Sequence, residues 1–226
     1  MANRFPPFVR FAILAALALA CSQAQPVNAY LSRMDRFAKT FTGAKAHVRS
    51  SNHVSGIPDD DVDEGTIFVK RSGAKTQFLI GFTTPNQYTV AVHDQVVEVY
   101  RPKLNEIQEY DLGAHKDIVQ KLFLLGFGMA GSELAANYEI KDPKHETMDG
   151  QETTHLELIP KAPEVAKQLK RIEIWISDTT QCPVRQAFYL PDGSTRTAEF
   201  TAVEVNPKLP SNAFDLPKSA KRVRVN

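Results

Sequence analysis

Between Thr66 and Leu112 the chain passes through five short strand-like runs separated only by turn-length gaps, and this succession limits its fold more than any other feature. The runs are Thr66 to Arg71, Thr76 to Phe82, Tyr88 to His93, Val96 to Arg101 and Asn105 to Leu112. Ser72-Gly73, Thr84-Pro85-Asn86, Asp94-Gln95 and Pro102-Lys103 stand between them and supply the turn residues. The spacing is that of an antiparallel meander. Side chains alternate across a strand, so Ile67 and Val69 share a face with Arg71, and Phe78, Ile80 and Phe82 share a face of the next strand. One side of the sheet is therefore lined with bulky apolar groups.

The same period continues on both flanks. A weak strand is expected at Lys45 to Ser51, joined to the meander through the polar connection Gly56 to Gly65. Further strands are expected at Tyr138 to Lys141, Thr153 to Ile159, Arg171 to Ser177, Val184 to Leu190 and Thr195 to Val205, with Pro191-Asp-Gly193 turning the last pair. Phe214 to Asn226 holds a possible final strand with a basic rim. Helical spacing is found first at Leu31, Met34, Phe37 and Phe41, ending at Gly43. A second helix is expected from Lys116 to Gly131, where Ile118, Leu122, Phe123, Leu124, Leu125 and Phe127 make the last turn apolar nearly all round. Such a helix must be covered on both sides or face a cavity. A third, short helix is expected with Ser132 as its N-cap, and a helical or turn piece around Pro163 to Leu169. About eleven strands with two or three helices and no βαβ alternation point to a mainly β (α+β) fold, a large antiparallel sheet that curls around its helices.

The N-terminus reads as an export signal. Arg4 and Arg10 precede the apolar run Phe11 to Ala20, which is too short to span a bilayer. Val27-Asn28-Ala29 offers a peptidase site, so that residues 1–29 are a signal peptide and 30–226 a single domain. The alternative is a lipoprotein signal ending before Cys21, which would be acylated. In the first case Cys182 is the sole thiol left, and it is expected to be a packed residue rather than a nucleophile. A formal net charge of +1 argues against nucleic acid as a partner.

Searching for chemistry yields little. Histidines 47, 53, 93, 115, 145 and 155 are scattered singly, without the spacing that puts two metal ligands on one helix face. The acidic run Asp59, Asp60, Asp61, Asp63, Glu64 fails as a calcium loop, since Glu64 stands where Gly is needed and Lys70 where the bidentate Glu belongs. Nucleophile elbow, phosphate loop and dinucleotide fingerprint are all missing. No cofactor, metal or catalytic centre is expected. A curved sheet cannot close tightly around so many large apolar side chains, and its core can double as a pocket.

Against this background the chain resembles the LolA-like periplasmic lipoprotein carriers, the outer-membrane lipoprotein-sorting family. The resemblance rests on Gly65-Thr-Ile-Phe-Val-Lys-Arg71, a strand ending in Arg, and on the following hairpin from Pro85 to Pro102. It extends through the opening helix, the Leu-Phe segment after Asp117, and the closing Val205-Asn-Pro207 and Phe214-Asp-Leu-Pro217. It implies an incomplete, half-open β-barrel whose helices form a lid over an apolar cavity. By the same resemblance Arg71 hydrogen-bonds lid carbonyls in the closed state, although Ser72 stands where the family usually has Pro. The expected ligand-binding set is Ile67, Val69, Arg71, Phe78, Ile80, Phe82, Ile118, Leu122, Phe123 and Leu125. Acyl chains of lipoproteins or other lipids are the implied cargo, with an inner-membrane donor, an outer-membrane acceptor and a monomeric carrier between them. Each methylene moved into water costs ~0.8 kcal/mol, so a lipid anchor needs such a carrier to cross the periplasm. An anchored envelope sensor on the same scaffold is the alternative.

Overall fold

The computed structural model describes residues 27–73, 75–93, 95–113, 122, 125–141, 143–210 and 212–225. The proposed signal segment before Val27, Cys21 included, lies outside the described residues, as does most of the apolar stretch from Ile118 to Leu124. Thirteen strands make one sheet: β1 (Gly43–His53), β2 (Asp61–Ser72), β3 (Lys75–Thr84), β4 (Tyr88–His93), β5 (Val96–Arg101), β6 (Glu106–Asp111), β7 (Tyr138–Ile140), β8 (Lys144–Met148), β9 (Gln151–Pro160), β10 (Arg171–Ser177), β11 (Pro183–Tyr189), β12 (Thr195–Val205) and β13 (Lys221–Val225). Their spatial order is β13-β6-β5-β4-β3-β2-β1-β12-β11-β10-β9-β7, with β8 also on β9, and the two ends of the series do not pair. This is the expected open antiparallel sheet, with two strands more than foreseen. The helices among the described residues are α1 (Val27–Thr40), α2 (Gly131–Asn137) and α3 (Pro163–Ala166), with a single 3-10 turn at Pro102–Leu104.

Four features differ from expectation. The connection after β1 is shorter than Gly56 to Gly65, because Asp61, Asp63 and Glu64 already belong to β2. Their charges are absorbed across the sheet: Asp63 accepts a hydrogen bond from the Tyr88 hydroxyl at 2.8 Å, and Glu64 lies 3.7 Å from Arg49. Strand β8 has no apolar alternation and exists through its pairing with β9. Strand β13 joins β6 in parallel, the one parallel pairing of the described sheet. Ser132 is not an N-cap, a position taken by Ala130. Its backbone N–H and its hydroxyl both donate to Asp35 of α1, at 3.0 and 2.9 Å.

Helix α1 buries Tyr30 and Met34, and Phe41 just beyond its end is buried as well. The Ala29–Tyr30 bond lies in its first turn. Asn206, left-handed at φ 52, closes its far end: Oδ1 accepts from the Thr42 and Gly43 amides at 2.7 and 3.2 Å, and Nδ2 donates to the Thr40 carbonyl at 2.9 Å. That side-chain ring satisfies carbonyl and amide groups which a helix end otherwise leaves bare. The Asn of the Val205-Asn-Pro207 motif thus ties helix to sheet.

The inner face carries two clusters. One packs Tyr30, Met34, Leu125, Met129 and Leu134 onto Leu156, Leu158, Ile172 and Ile174 of β9 and β10. The other gathers Phe41 and Phe127 over Val48, Ile67, Val69, Phe78, Phe82 and Phe200 of β1, β2, β3 and β12. Between the two the layers part.

Candidate functional site: a half-open apolar hollow

Register explains how distant residues meet at this gap. Val48 of β1 lies opposite Gly65 on one side and Phe200 on the other, and Gly65 in turn faces Phe82. Ile67 pairs with Ile80, Gln186 with Ala198, and Phe188 with Arg196. Gly65 cannot be replaced by a larger residue without movement, since an added Cβ would lie 2.1 Å from the Gly81 carbonyl oxygen. The register shift between Glu64 and Gly65 at this contact bends β2 inward, as a bulge does.

The result is a cavity of about 520 Å³, open on one side. Val48, Ile67, Phe82, Phe127 and Phe200 are its buried lining. The Phe127 ring stands edge-on to Phe200, with centroids 5.1 Å apart. Gln168 and Arg196 are its exposed rim, with half-buried Asn52 beside them. Gln186 is buried in the wall, where its Nε2 donates to the Leu125 carbonyl and so holds down the segment that roofs the hollow. The glycines of that segment permit its tight path: Gly126 and Gly128 have φ of 80 and 67, and a Cβ on Gly128 would meet the Phe41 ring at 2.2 Å.

The residues singled out from sequence fall into three places. Ile67, Ile80, Phe82 and Leu122 line the hollow. Val69, Phe78 and Leu125 are buried in the packed clusters beside it and do not line it. Ile118 and Phe123 lie outside the described residues. Arg71 is half-buried at the opposite end of β2, where Nη1 donates to the Ala38 carbonyl of α1 at 3.3 Å and the guanidinium sits 5.6 Å over the Phe41 ring. Burial there lowers its pKa from the ordinary arginine value, which the nearby Glu133 partly counters. Gln186 also holds a carbonyl of the Leu-Phe segment, that of Leu125. Gln186, Phe188, Arg196 and Phe200 were not foreseen as site residues, because their inclusion depends on β11 and β12 returning beside β1.

The hollow is lined mainly by apolar side chains. Among the described residues its lining contains neither His, Cys, Asp nor Glu. Cys182 is buried in the second cluster, and burial pushes its thiol up to about 12, so it stays protonated at neutral pH. Among the described residues no three His, Cys, Asp or Glu side chains converge as metal ligands, and no helix is long and apolar enough to cross a membrane.

A curled open sheet around an apolar hollow defines the fold as a half-open β-barrel with an internal cavity. No family model matches the chain. The outer-membrane lipoprotein carrier protein of Cupriavidus pinatubonensis (strain JMP 134 / LMG 1197) is 27% identical over 221 residues, covering 93% of this chain and 96% of the relative. Among solved structures, an uncharacterized conserved protein from Thermus thermophilus superposes with a TM-score of 0.57 at 10% identity, over 88% of this chain and all of that one. MucB in the Pseudomonas aeruginosa MucA/MucB complex has the same fold, with a TM-score of 0.51 at 11% identity. That match covers 88% of this chain and 64% of the other. Over nearly its whole length the chain is thus similar to an outer-membrane lipoprotein carrier protein.

Proposed function

We propose that this protein is a periplasmic carrier that binds the acyl chains of lipid-modified proteins or other lipids and passes them towards the outer membrane. The single observation that supports the reading best is the half-open hollow lined by Val48, Ile67, Phe82, Phe127 and Phe200. Every methylene that enters it leaves water, for about 0.8 kcal/mol each. Admission of bulkier cargo requires the Leu125–Met129 roof to shift, which breaks the Gln186 bond and exposes apolar area. Loading thus exchanges one buried surface for another, and the modest net affinity permits hand-over from an inner-membrane donor to an outer-membrane acceptor. The protein acts as a monomer and binds without turnover. The C. pinatubonensis carrier supports the same role through its full-length similarity.

An anchored sensor on the same scaffold would hold a protein partner, as MucB does in its complex with MucA. An apolar hollow favours cargo over such a partner. Native mass spectrometry and lipid extraction on protein purified from its own envelope test this. Bound acyl lipid is the expected result, and protein that stays empty when incubated with lipidated protein or lipid would overturn the carrier reading.

A further inference from the structure

Among the described residues Arg196 is the only charged side chain that lines the hollow, and it stands at the mouth. It makes no ion pair or hydrogen bond with any described residue. Other arginines of the same sheet are engaged: Arg49 lies 3.7 and 3.6 Å from Glu64 and Glu199, and Arg171 lies 3.0 Å from Glu173 and stacks over Tyr189. Across the ladder Arg196 faces Asn52 on β1 and Phe188 on β11, both of which also line the hollow. The site therefore has a net positive rim with an uncharged amide beside it, above an aromatic and aliphatic floor.

Size narrows the occupant further. A methylene takes up about as much room as a water molecule in the liquid, ~30 Å³, so a hollow of about 520 Å³ has room for one long acyl chain.

We propose that the hollow is a binding site for a single-chain amphiphile with an anionic head, its carboxylate or phosphate held by Arg196 and its chain running to Phe127 and Phe200. This rests on the carrier reading and names the ligand class of the same cavity. A guanidinium at the mouth with no acidic partner among the described residues offers a carboxylate or a phosphate two parallel hydrogen bonds, which neither an alcohol nor a quaternary ammonium can accept in that geometry.

The test is a titration of the full exported protein, below the micelle concentration, with hexadecanoate, 1-hexadecanoyl lysophosphatidate, hexadecan-1-ol and a triacylated lipopeptide. Both anions are expected to bind at least tenfold more tightly than the alcohol, with a preference that shrinks at high salt. The comparison of the two anions distinguishes a free fatty acid from a lysophospholipid as the source of the head. Arg196→Gln is expected to remove the preference while leaving alcohol binding unchanged, and Arg196→Lys to retain part of it. Equal binding of alcohol and anions, or a preference that survives R196Q, would overturn the head-group assignment and leave the carrier reading intact. Binding of the lipopeptide alone would overturn the single-chain assignment. Binding of none of the four would overturn both.

Discussion

The Phe127 and Phe200 rings meet edge to face at an interplanar angle of 88°, one from the roof and one from β12, and together they close the deep end of the hollow. Both are almost fully buried. Phe200→Ala is expected to lower the unfolding free energy by about 3 kcal/mol. In a double-mutant cycle with Phe127→Ala, urea denaturation should show a coupling of about 1 kcal/mol. Additive losses would mean that the two rings do not act as a pair.

Gln186→Leu removes the donor to the Leu125 carbonyl and leaves that oxygen unsatisfied in a buried place. A loss of about 1–3 kcal/mol is expected. More tellingly, amide hydrogen exchange of Phe127 to Met129 should accelerate well beyond that of β9 and β10, since only the roof loses its tether. Uniform acceleration would refute the idea that Gln186 holds the roof locally.

Asp35 accepts two hydrogen bonds from Ser132, and these hold its carboxyl below the usual carboxylate range. A folded-state pKa below the unfolded value means that the stabilisation is complete above the unfolded value of about 3.9 and fades as pH falls through the lower folded one. The α1–α2 junction should therefore loosen in acid. Asp35→Asn keeps an acceptor but cannot titrate, so its stability between about pH 5 and pH 2 should fall less steeply than that of the natural protein. Parallel acid limbs in the two would refute this.

Gly128 combines a φ of 67 with the near approach of the Phe41 ring. Alanine there faces both backbone strain and a steric conflict, so Gly128→Ala is expected to cost about 2 kcal/mol or more. Gly150→Ala shares the positive φ but has open space around its Cβ, and thermal unfolding should show the smaller loss there.

Strand existence was legible from local alternation: β4, β5, β10 and β12 lie where the pattern puts them, because each strand's inner face is set by its own residues. Pairing was not. β8 is a polar segment whose strand character comes from the edge of β9, and no local signal distinguishes a parallel from an antiparallel partner for β13. The hollow was legible by half for the same reason. Ile67, Ile80 and Phe82 belong to one meander and announce a common face, whereas Phe200 and Arg196 arrive from a distant part of the chain through the β1–β12 ladder. Arg71 shares a strand face with Ile67, but the two lie apart along β2, and no alternation pattern reports position along the strand axis.

The parallel partnership of β13 with β6 is a clasp made from the far end of the chain. Arg222 fastens it to the buried Glu98 and to Glu109, so the clasp is held by charge more than by grease. Shortening the chain before Lys221, or a fusion that strains this end, would bare a row of amides and carbonyls along Glu106–Asp111. Such a row recruits strands from other molecules. Aggregates seeded there would grow from the margin of the sheet remote from β11 and β12, and would leave the hollow itself intact.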